Sequence, residues 1–169
     1  MDELLDLVNE KDEVIGEVWR SQTQNNQNII FREVGVLIYD NQKRLLLQRR
    51  SFNKKTYPGY WIISAGGHVG KGKNPDEVAH SELSEELGFD TELKFEFKIL
   101  MTYPTNRSIA YGYSGEYNKG KITIQEEEVE EARFFSEEEF EELVKSDKVE
   151  PTSAKWCRNF WKNNSTKLS

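Results

Sequence analysis

Apolar and polar positions alternate in several segments of this chain, and the alternation predicts β-strands with one buried face. The segments that show it, or that carry β-branched apolar runs, are LLDLVNE, EVIGEVW, IIFREVGVLIYD, RLLLQRR, WIISAGG, ELKFEFKILMTYP, IAYGYSGEY and EARFF. Turn residues separate the first pair at Lys11-Asp12 and the second pair at Asn41-Gln42-Lys43. We therefore expect a short N-terminal strand pair, then a hairpin of two long strands, and further strands around a helix.

The segment from Asn74 to Leu87 has a helical period instead. Asn74 suits the N-cap, Pro75 suits the first helical position, and Glu77 can close a capping box. Gly88 follows the last helical residue and is expected to end the helix. Apolar residues recur at every fourth position and predict a buried stripe of Ala79, Leu83 and Leu87.

Two more helices are expected near the C-terminus. The segment from Ser136 to Ser146 starts with a capping box of Ser136 and Glu139, and a second helix is expected from Thr152 to Asn163. The element order is strands, one helix, strands and two helices, which is not the alternation of a parallel βαβ fold. We predict the α+β class, as an α/β/α sandwich with a mixed β-sheet between helices.

Composition bounds the domain count and the partners. The chain has 169 residues, 36% of them hydrophobic and 31% charged, with enough aromatic residues for one substantial core. We expect residues 1–169 to form a single domain. The net charge of −7 argues against double-stranded nucleic acid or an anionic membrane as a partner.

The chain also suggests where the protein works. Its first residues, MDELLDLVNEKDEV, are acidic without an uninterrupted apolar run, so we expect no signal peptide. No window approaches the roughly 20 apolar residues that cross a membrane. The single cysteine, Cys157, cannot form an internal disulfide, so we expect a half-buried structural thiol in a cytoplasmic protein.

Glu82, Glu85 and Glu86 are the candidate chemistry of the central helix. Their spacing places them on one helix face, away from the apolar stripe, where like charges repel and the helix C-terminus disfavours anions. A solvated acidic face explains the glutamates after Ser136, but it explains this cluster less well because glycines flank it. Clustered carboxylates suit Mg²⁺ or Mn²⁺, which also take water and substrate phosphate as ligands.

The segment GGHVGKGKNPDEVAHSELSEELGF resembles the signature of the Nudix hydrolases. That signature is a glycine, five residues, a glutamate, seven residues, and then Arg-Glu-aliphatic-any-Glu-Glu-any-Gly-aliphatic. The matching positions are Gly67, Glu82, Leu83, Glu85, Glu86, Gly88 and, as an apolar substitute, Phe89. Lys73 stands in place of the first glutamate and Ser81 in place of the arginine, which puts metal affinity and rate in question.

The resemblance implies the Nudix fold and hydrolysis of a diphosphate with Mg²⁺ or Mn²⁺. In the family the glutamates bind metal, which assigns Glu82, Glu85 and Glu86 to a metal site beside Gly67. Glu85 is the simplest acceptor for the proton of the attacking water. The expected partner is a small-molecule diphosphate, and a homodimer is left open.

Some candidates lie outside the signature. Family members can use a glutamate from a later loop as the base, which makes Glu128 in the run Glu126 to Glu128 an alternative, although a solvated loop also explains that run. Arg49 and Arg50 are candidate phosphate contacts because guanidinium groups pair with oxyanions. Strand alternation sends the two to opposite faces, so we expect only one to bind substrate.

Most of the chain further resembles the subgroup that contains type I isopentenyl-diphosphate isomerase. The isomerase needs a cysteine where this chain has Gly66, and its late-strand glutamates align approximately with Tyr111 and Tyr113. Of its metal-binding histidines only His68 is clearly present. We interpret His68 as a hydrogen-bonding loop residue in preference to a metal ligand. We therefore reject isomerisation, which needs those acid and base groups.

Three functions stay open at this point. The first is a diphosphate hydrolase, and the second is a Nudix-fold protein that binds a ligand or partner without turnover, which the changes at Lys73 and Ser81 make credible. The third is an acidic interaction domain in which the glutamate cluster is incidental. Retention of all three carboxylates favours the enzyme, while nucleotide derivatives and other small diphosphates remain equally acceptable substrates.

Overall fold

The computed structural model describes residues 1–165. Its strands are β1 (Leu4–Val8), β2 (Val14–Trp19), β3 (Ile30–Tyr39), β4 (Leu45–Arg50), β5 (Trp61–Ile62), β6 (Ala65–His68), β7 (Lys94–Thr102), β8 (Arg107–Glu116) and β9 (Val129–Phe135). Its helices are α1 (Pro75–Leu87), α2 (Glu137–Lys145) and α3 (Pro151–Ser165), with a short 3-10 turn at Arg20–Gln22. The N-terminal strand pair, the central helix and the two C-terminal helices follow the sequence prediction.

The main sheet is mixed. Its strands run in the order β5-β4-β3-β8-β7, with β6 added on β3 and β9 added on β4. Strands β3 and β8 are parallel, whereas the other pairs in this sheet are antiparallel. The predicted long hairpin of β3 and β4 is wrong in extent, because only Ile38↔Leu46 and Tyr39↔Leu45 pair. Instead β6 pairs with the centre of β3, and β5 pairs with Gln48 and Arg49 of β4, while β9 pairs along the other edge of β4.

Alternate residues of β3 face two separate cores. Val34, Val36 and Ile38 pack with α1, and Leu37 packs on the other side with α2 and α3. This arrangement is the α/β/α sandwich that the sequence predicts, with the mixed sheet between helices.

Helix α1 is built largely as its sequence indicates. Ala79, Leu83 and Leu87 are completely buried. Gly88 ends the helix in the left-handed region at φ 74°, and its N–H donates to the Ser84 carbonyl. The capping box is wrong, because the Asn74 side chain accepts from the Asp76 N–H and Glu77 takes no part.

Strand β1 fixes the loop that leads into α1. The Lys71 N–H donates to the Leu4 carbonyl at 2.8 Å, and the Gly72 N–H donates to the Asp6 carboxylate at 3.1 Å. These bonds brace the loop from the N-terminal strand pair.

The C-terminal helices close the second core. The predicted capping box of Ser136 and Glu139 is present in α2. Cys157 is completely buried rather than half-buried, and burial raises the pKa of its thiol. Within residues 1–165 no helix is both long enough and apolar enough to cross a membrane.

Candidate active site

The glycines of β6 allow α1 to approach the sheet edge. A Cβ atom added to Gly67 would lie 2.4 Å from the Glu82 carboxyl carbon, closer than any real contact. Gly67 also pairs with Val34 of β3, so its backbone position is fixed by the sheet. The half-buried Glu82 carboxylate therefore rests directly on a glycine backbone, which is where the sequence expected the metal site.

Glu86 is buried, with 8% relative exposure, and this corrects the expectation that it faces away from the core. The Gln48 side chain donates to Glu86 and also to the Ser64 carbonyl at 2.9 Å. Burial raises the pKa of Glu86 to about 8; Gln48 opposes this shift, and the charge of Glu82 adds to it. Gln48 is a site residue that the sequence reading missed, although a lone polar residue in the apolar run LLLQRR was a signal.

The other two carboxylates lie at different depths. Burial and, as a smaller cause, the neighbouring charge of Glu85 raise the pKa of Glu82 to about 7. Glu85 itself is exposed to solvent. The three glutamates thus form a gradient from solvent at Glu85 to the protein interior at Glu86.

The carboxylates of Glu82, Glu85 and Glu86 provide only part of the ligand set that a hard divalent cation requires. Among residues 1–165 no three His, Cys, Asp or Glu side chains are grouped closely enough to hold a metal ion by themselves. Mg²⁺ typically takes one or two protein carboxylates and completes its shell with water and substrate phosphate. Glu82 and Glu86, with the charge of Glu82 raising the pKa of Glu86, match that smaller ligand set.

The two arginines at the end of β4 separate as strand alternation requires. Arg49 donates to the Gly59 carbonyl at 3.1 Å and lies over the Phe52 ring. Arg50 donates to the Thr56 carbonyl at 2.9 Å. Burial lowers the pKa of Arg50, while the charges of Glu128 and Glu86 oppose that shift. Gln48, two residues earlier on β4, donates to Glu86, so strand alternation places Arg50 on the same face as the carboxylate.

Glu128 lies near the carboxylates rather than in an unconnected loop. Its side chain forms an ion pair with Lys54, and its carbonyl accepts from the Ser51 N–H at 2.9 Å. The charge of Glu128 contributes to the raised pKa of both Glu82 and Glu86. Its two neighbours, Glu126 and Glu127, are exposed.

His68 lies in β6, not in a loop, and its ring stacks on Phe31 with centroids 5.0 Å apart. Burial lowers the pKa of His68 to about 4, and the charges of Arg20 and Lys54 act in the same direction. The imidazole is therefore neutral near pH 7. The expected hydrogen-bonding role is replaced by ring packing.

Arg20 was also missed, because it is distant from the signature in the sequence. Its N–H donates to the Glu3 carbonyl at 2.8 Å, and its guanidinium lies 3.7 Å from the Glu3 carboxylate. Its charge lowers the pKa of both Glu82 and His68. The N-terminal segment thus supplies a cation near the carboxylates. The helix itself lacks one there, because Ser81 stands where the signature has an arginine.

Tyr111 and Tyr113 do not face His68. Their hydroxyl groups donate to Asp12 and Asp76, respectively. The β3 residue directly opposite His68 in the sheet is Glu33. The residues that align with the isomerase glutamates therefore lie away from the Gly66–His68 strand.

The sequence and the fold both match known proteins. A model of the NUDIX domain family matches residues 30–160. An uncharacterized Nudix hydrolase of Pseudomonas aeruginosa is 34% identical over 137 residues, covering 80% of each chain. An isopentenyl-diphosphate Delta-isomerase of Serratia proteamaculans is 38% identical over 94 residues, covering 56% of this chain and 52% of that enzyme.

A crystal structure of a Deinococcus radiodurans protein, DR0079, has the same fold. Its TM-score is 0.81 at 22% identity, with 94% of this chain and 99% of that chain covered. The family generally uses divalent metals such as Mg²⁺ or Mn²⁺. The match over residues 30–160 and the relative covered over four-fifths of its length show that this chain belongs to the Nudix hydrolase family.

Proposed function

We propose that this protein is a divalent-metal-dependent hydrolase that cleaves a diphosphate linkage in a nucleoside diphosphate linked to a further group, or in a similar small diphosphate. The convergence of Glu82 and Glu86 on the glycine strand carries this proposal. Burial and the charges of neighbouring glutamates raise the pKa of both carboxylates, so they lack full compensation within the protein. A divalent cation bound with substrate phosphate supplies that compensation.

The proposed role of each residue follows from how deeply its side chain is buried and from its charge. Glu82 and Glu86 would hold the metal, which supplies polarisation of the phosphorus and a lower pKa for the attacking water. Glu85, exposed beside them, accepts the proton as the water oxygen bonds to phosphorus and the bridging P–O bond breaks. Arg50 binds a phosphate oxygen, because its guanidinium lies on the carboxylate side of β4. Glu128 is the alternative base.

A binding protein without turnover is the second candidate. Ser81 and Lys73 depart from the signature, and no three acidic or histidine side chains in the described part of the chain form a complete metal site. Isomerisation has less support. Gly66 cannot act as the cysteine that the isomerase requires, and the matched isomerase is covered over only 52% of its length.

The function is tested with a panel of nucleoside and non-nucleoside diphosphates in Mg²⁺ or Mn²⁺, with phosphate release as the readout. We expect metal-dependent release from at least one compound, and no dimethylallyl diphosphate from isopentenyl diphosphate. Metal-dependent binding of a diphosphate without any release would favour the binding protein. Formation of dimethylallyl diphosphate above background would restore the isomerase.

The wider setting belongs to the same proposal. We infer one domain over residues 1–169, of which the last four lie outside the described residues. The single, buried Cys157 fits the reducing conditions of the cytoplasm. The substrate is a small molecule, and a homodimer stays a prediction.

A further inference from the structure

Arg32 of β3 joins the N-terminal strand pair to the loop that leads into α1. Its guanidinium is largely buried, with 15% side-chain exposure, and it lies between two carboxylates. The Nε atom donates to Asp12 Oδ1 at 2.6 Å, and one terminal nitrogen donates to the Asp12 carbonyl at 2.9 Å. The other terminal nitrogen lies 3.5 Å from Asp6 Oδ2. One cation thus compensates two acidic side chains of the strand pair.

Asp12 anchors the turn of that strand pair on the main sheet. It lies between β1 and β2, and its backbone is left-handed at φ 65°. Besides the bond from Arg32, its side chain accepts from Lys98 at 3.1 Å and from the Tyr111 hydroxyl. The turn is therefore held by residues of three neighbouring strands, β3, β8 and β7, and the main sheet sets its position.

Asp6 extends this connection to the loop before α1. The Oδ2 atom that faces Arg32 also accepts the Gly72 N–H at 3.1 Å. At the other end of the loop, the Arg32 carbonyl accepts the Val69 N–H at 2.9 Å. Arg32 therefore acts on both ends of segment 69–72, through its carbonyl at one end and through its guanidinium and Asp6 at the other.

Segment 69–72 connects the two parts of the candidate metal site. It begins two residues after Gly67 and ends two residues before Asn74, the N-cap of α1. A Cβ added to Gly67 would lie 2.4 Å from the Glu82 carboxyl carbon, so this contact changes with even a small shift of α1 against β6. The position of the segment therefore affects where Glu82 lies on the glycine strand.

We propose that Arg32 is a positioning residue for hydrolysis: it joins Asp12 to Asp6 and thereby holds segment 69–72, which sets where α1 places its glutamates. The inference rests on the proposed function for the reaction, whereas the hold on the segment does not depend on it. A planar guanidinium presents donors in several fixed directions, while the ammonium of lysine is a compact point charge. The phosphate contact is assigned to Arg50, so Arg32 is expected to affect kcat and not KM.

The test keeps the charge at position 32 and removes the planar geometry. Arg32→Lys retains a cation that can pair with one aspartate but does not bridge both. Asp6→Asn retains an acceptor for the Gly72 N–H but removes the ion pair. Arg107→Lys is the matched control, because Arg107 of β8 pairs with Glu10 in the turn of the same strand pair.

Two measurements are made on each variant, below the onset of thermal unfolding. Hydrogen exchange of the metal-free protein, followed by NMR, reports the Lys71 and Gly72 amides, and the completely buried Leu46 of β4 reports opening of the whole domain. Steady-state kinetics in Mn²⁺ gives kcat and KM for a diphosphate that the wild type hydrolyses. A general loss of stability would increase exchange at Leu46 as well, whereas loss of the positioning contact would act on the loop amides alone.

We expect the Gly72 amide of Arg32→Lys to exchange about tenfold faster, with little change at Leu46. Its kcat should fall about 10- to 100-fold, as for a small misplacement at the reacting centre, while KM changes by less than about threefold. Asp6→Asn should shift both quantities in the same direction by a smaller factor, because an amide oxygen is a weaker acceptor than a carboxylate. Arg107→Lys should change neither.

Unchanged exchange at Gly72 in Arg32→Lys would overturn the inference whatever the activity. An unchanged kcat in an active enzyme, a rise in KM alone, or an equal effect of Arg107→Lys would also overturn it. An inactive wild type whose Gly72 amide still exchanges faster in Arg32→Lys would reject the proposed function alone, because the connection from Arg32 to the segment would remain demonstrated.

Discussion

Helices α1 and α2 are both rich in glutamate, yet the pKa values of their carboxylates shift in opposite directions. In α2 the Glu141 carboxylate is held by two bonds from Arg158, each at 2.7 Å, and the Arg158 bonds lower the pKa of Glu141. In α1 burial raises the pKa of Glu82 and Glu86. An acidic run alone therefore does not indicate a site; an acidic run that the protein buries without a full set of cations does.

The largest expected effect comes from filling the space between β6 and α1. Gly67→Ala places a Cβ 2.4 Å from the Glu82 carboxyl carbon and must displace that side chain. We expect hydrolysis to fall by about a hundredfold, as for a misplacement of about 1 Å at a reacting centre. Gly16→Ala is the control, because its added Cβ meets Leu7 at an ordinary 3.5 Å. Comparable hydrolysis rates for the two variants would show that Glu82 is not part of the active site.

Glu86→Gln should abolish metal-dependent hydrolysis and stabilise the metal-free protein at alkaline pH. The pKa of Glu86 is raised to about 8, so the favourable contribution of its protonated form is complete below pH 4.5 and is lost as the pH rises towards 8. Replacement by the neutral amide removes that loss. We expect the melting temperature at pH 8 to rise by about 3–6 °C, with almost no change at pH 4.5.

Glu141→Gln provides the opposite case on α2. The pKa of Glu141 is lowered, so its contribution is present above pH 4.5 and disappears as the pH falls below that value. This variant should be slightly less stable at pH 7 and should keep full hydrolysis. If Glu141→Gln and Glu86→Gln shifted the melting curve in the same direction at pH 8, the contrast between the helices would be wrong.

Arg49 and Arg50 of β4 allow a test of which arginine binds the substrate phosphate. Arg50→Ala should raise KM for the diphosphate by about tenfold, the loss of one charged hydrogen bond. Arg49→Ala should leave KM nearly unchanged, because Arg49 contacts Gly59 and Phe52 on the other face. Steady-state kinetics on both variants checks the assignment, and equal KM values would contradict it.

The smallest effect is expected at the surface of α2. Arg158→Ala breaks an ion pair whose arginine is half exposed, and such pairs contribute about 0.5 kcal/mol. We expect the free energy of unfolding, measured in urea, to fall by about that amount and hydrolysis to be unchanged. A loss above roughly 2 kcal/mol would mean that α2 also depends strongly on its compensating charges.

Local patterns predicted much of the fold. The stripe of Ala79, Leu83 and Leu87, the end of α1 at Gly88 and the capping box of α2 depend on residues within a few positions of one another. Pairing was harder. The β3–β4 hairpin is short because β6 occupies the rest of that edge of β3 and β5 pairs further along the same edge of β4. Nothing within β3 or β4 indicates these additional partners.

The same limit applies to the candidate site. The spacing along α1 predicted that the three glutamates lie together, but not how deeply each is buried, because Glu86 is in contact with Gln48 of β4, which is distant in the sequence. The sequence does not single out Arg20, because its charge reaches Glu82 and His68 only through the tertiary structure. Residue type indicated the chemistry, whereas its electrostatic environment required the tertiary structure.

The two bonds that join β1 to the loop before α1 also bear on how the site forms during folding. Leu4 and Lys71 are 67 positions apart, and Asp6 and Gly72 are 66 apart, so the loop is fixed only after distant parts of the chain have met. Contacts of such high contact order close late, because their loop entropy is lost before they stabilise the chain. A chain in which α1 has formed but these two bonds have not would therefore carry all three glutamates and still lack a geometry able to bind a diphosphate.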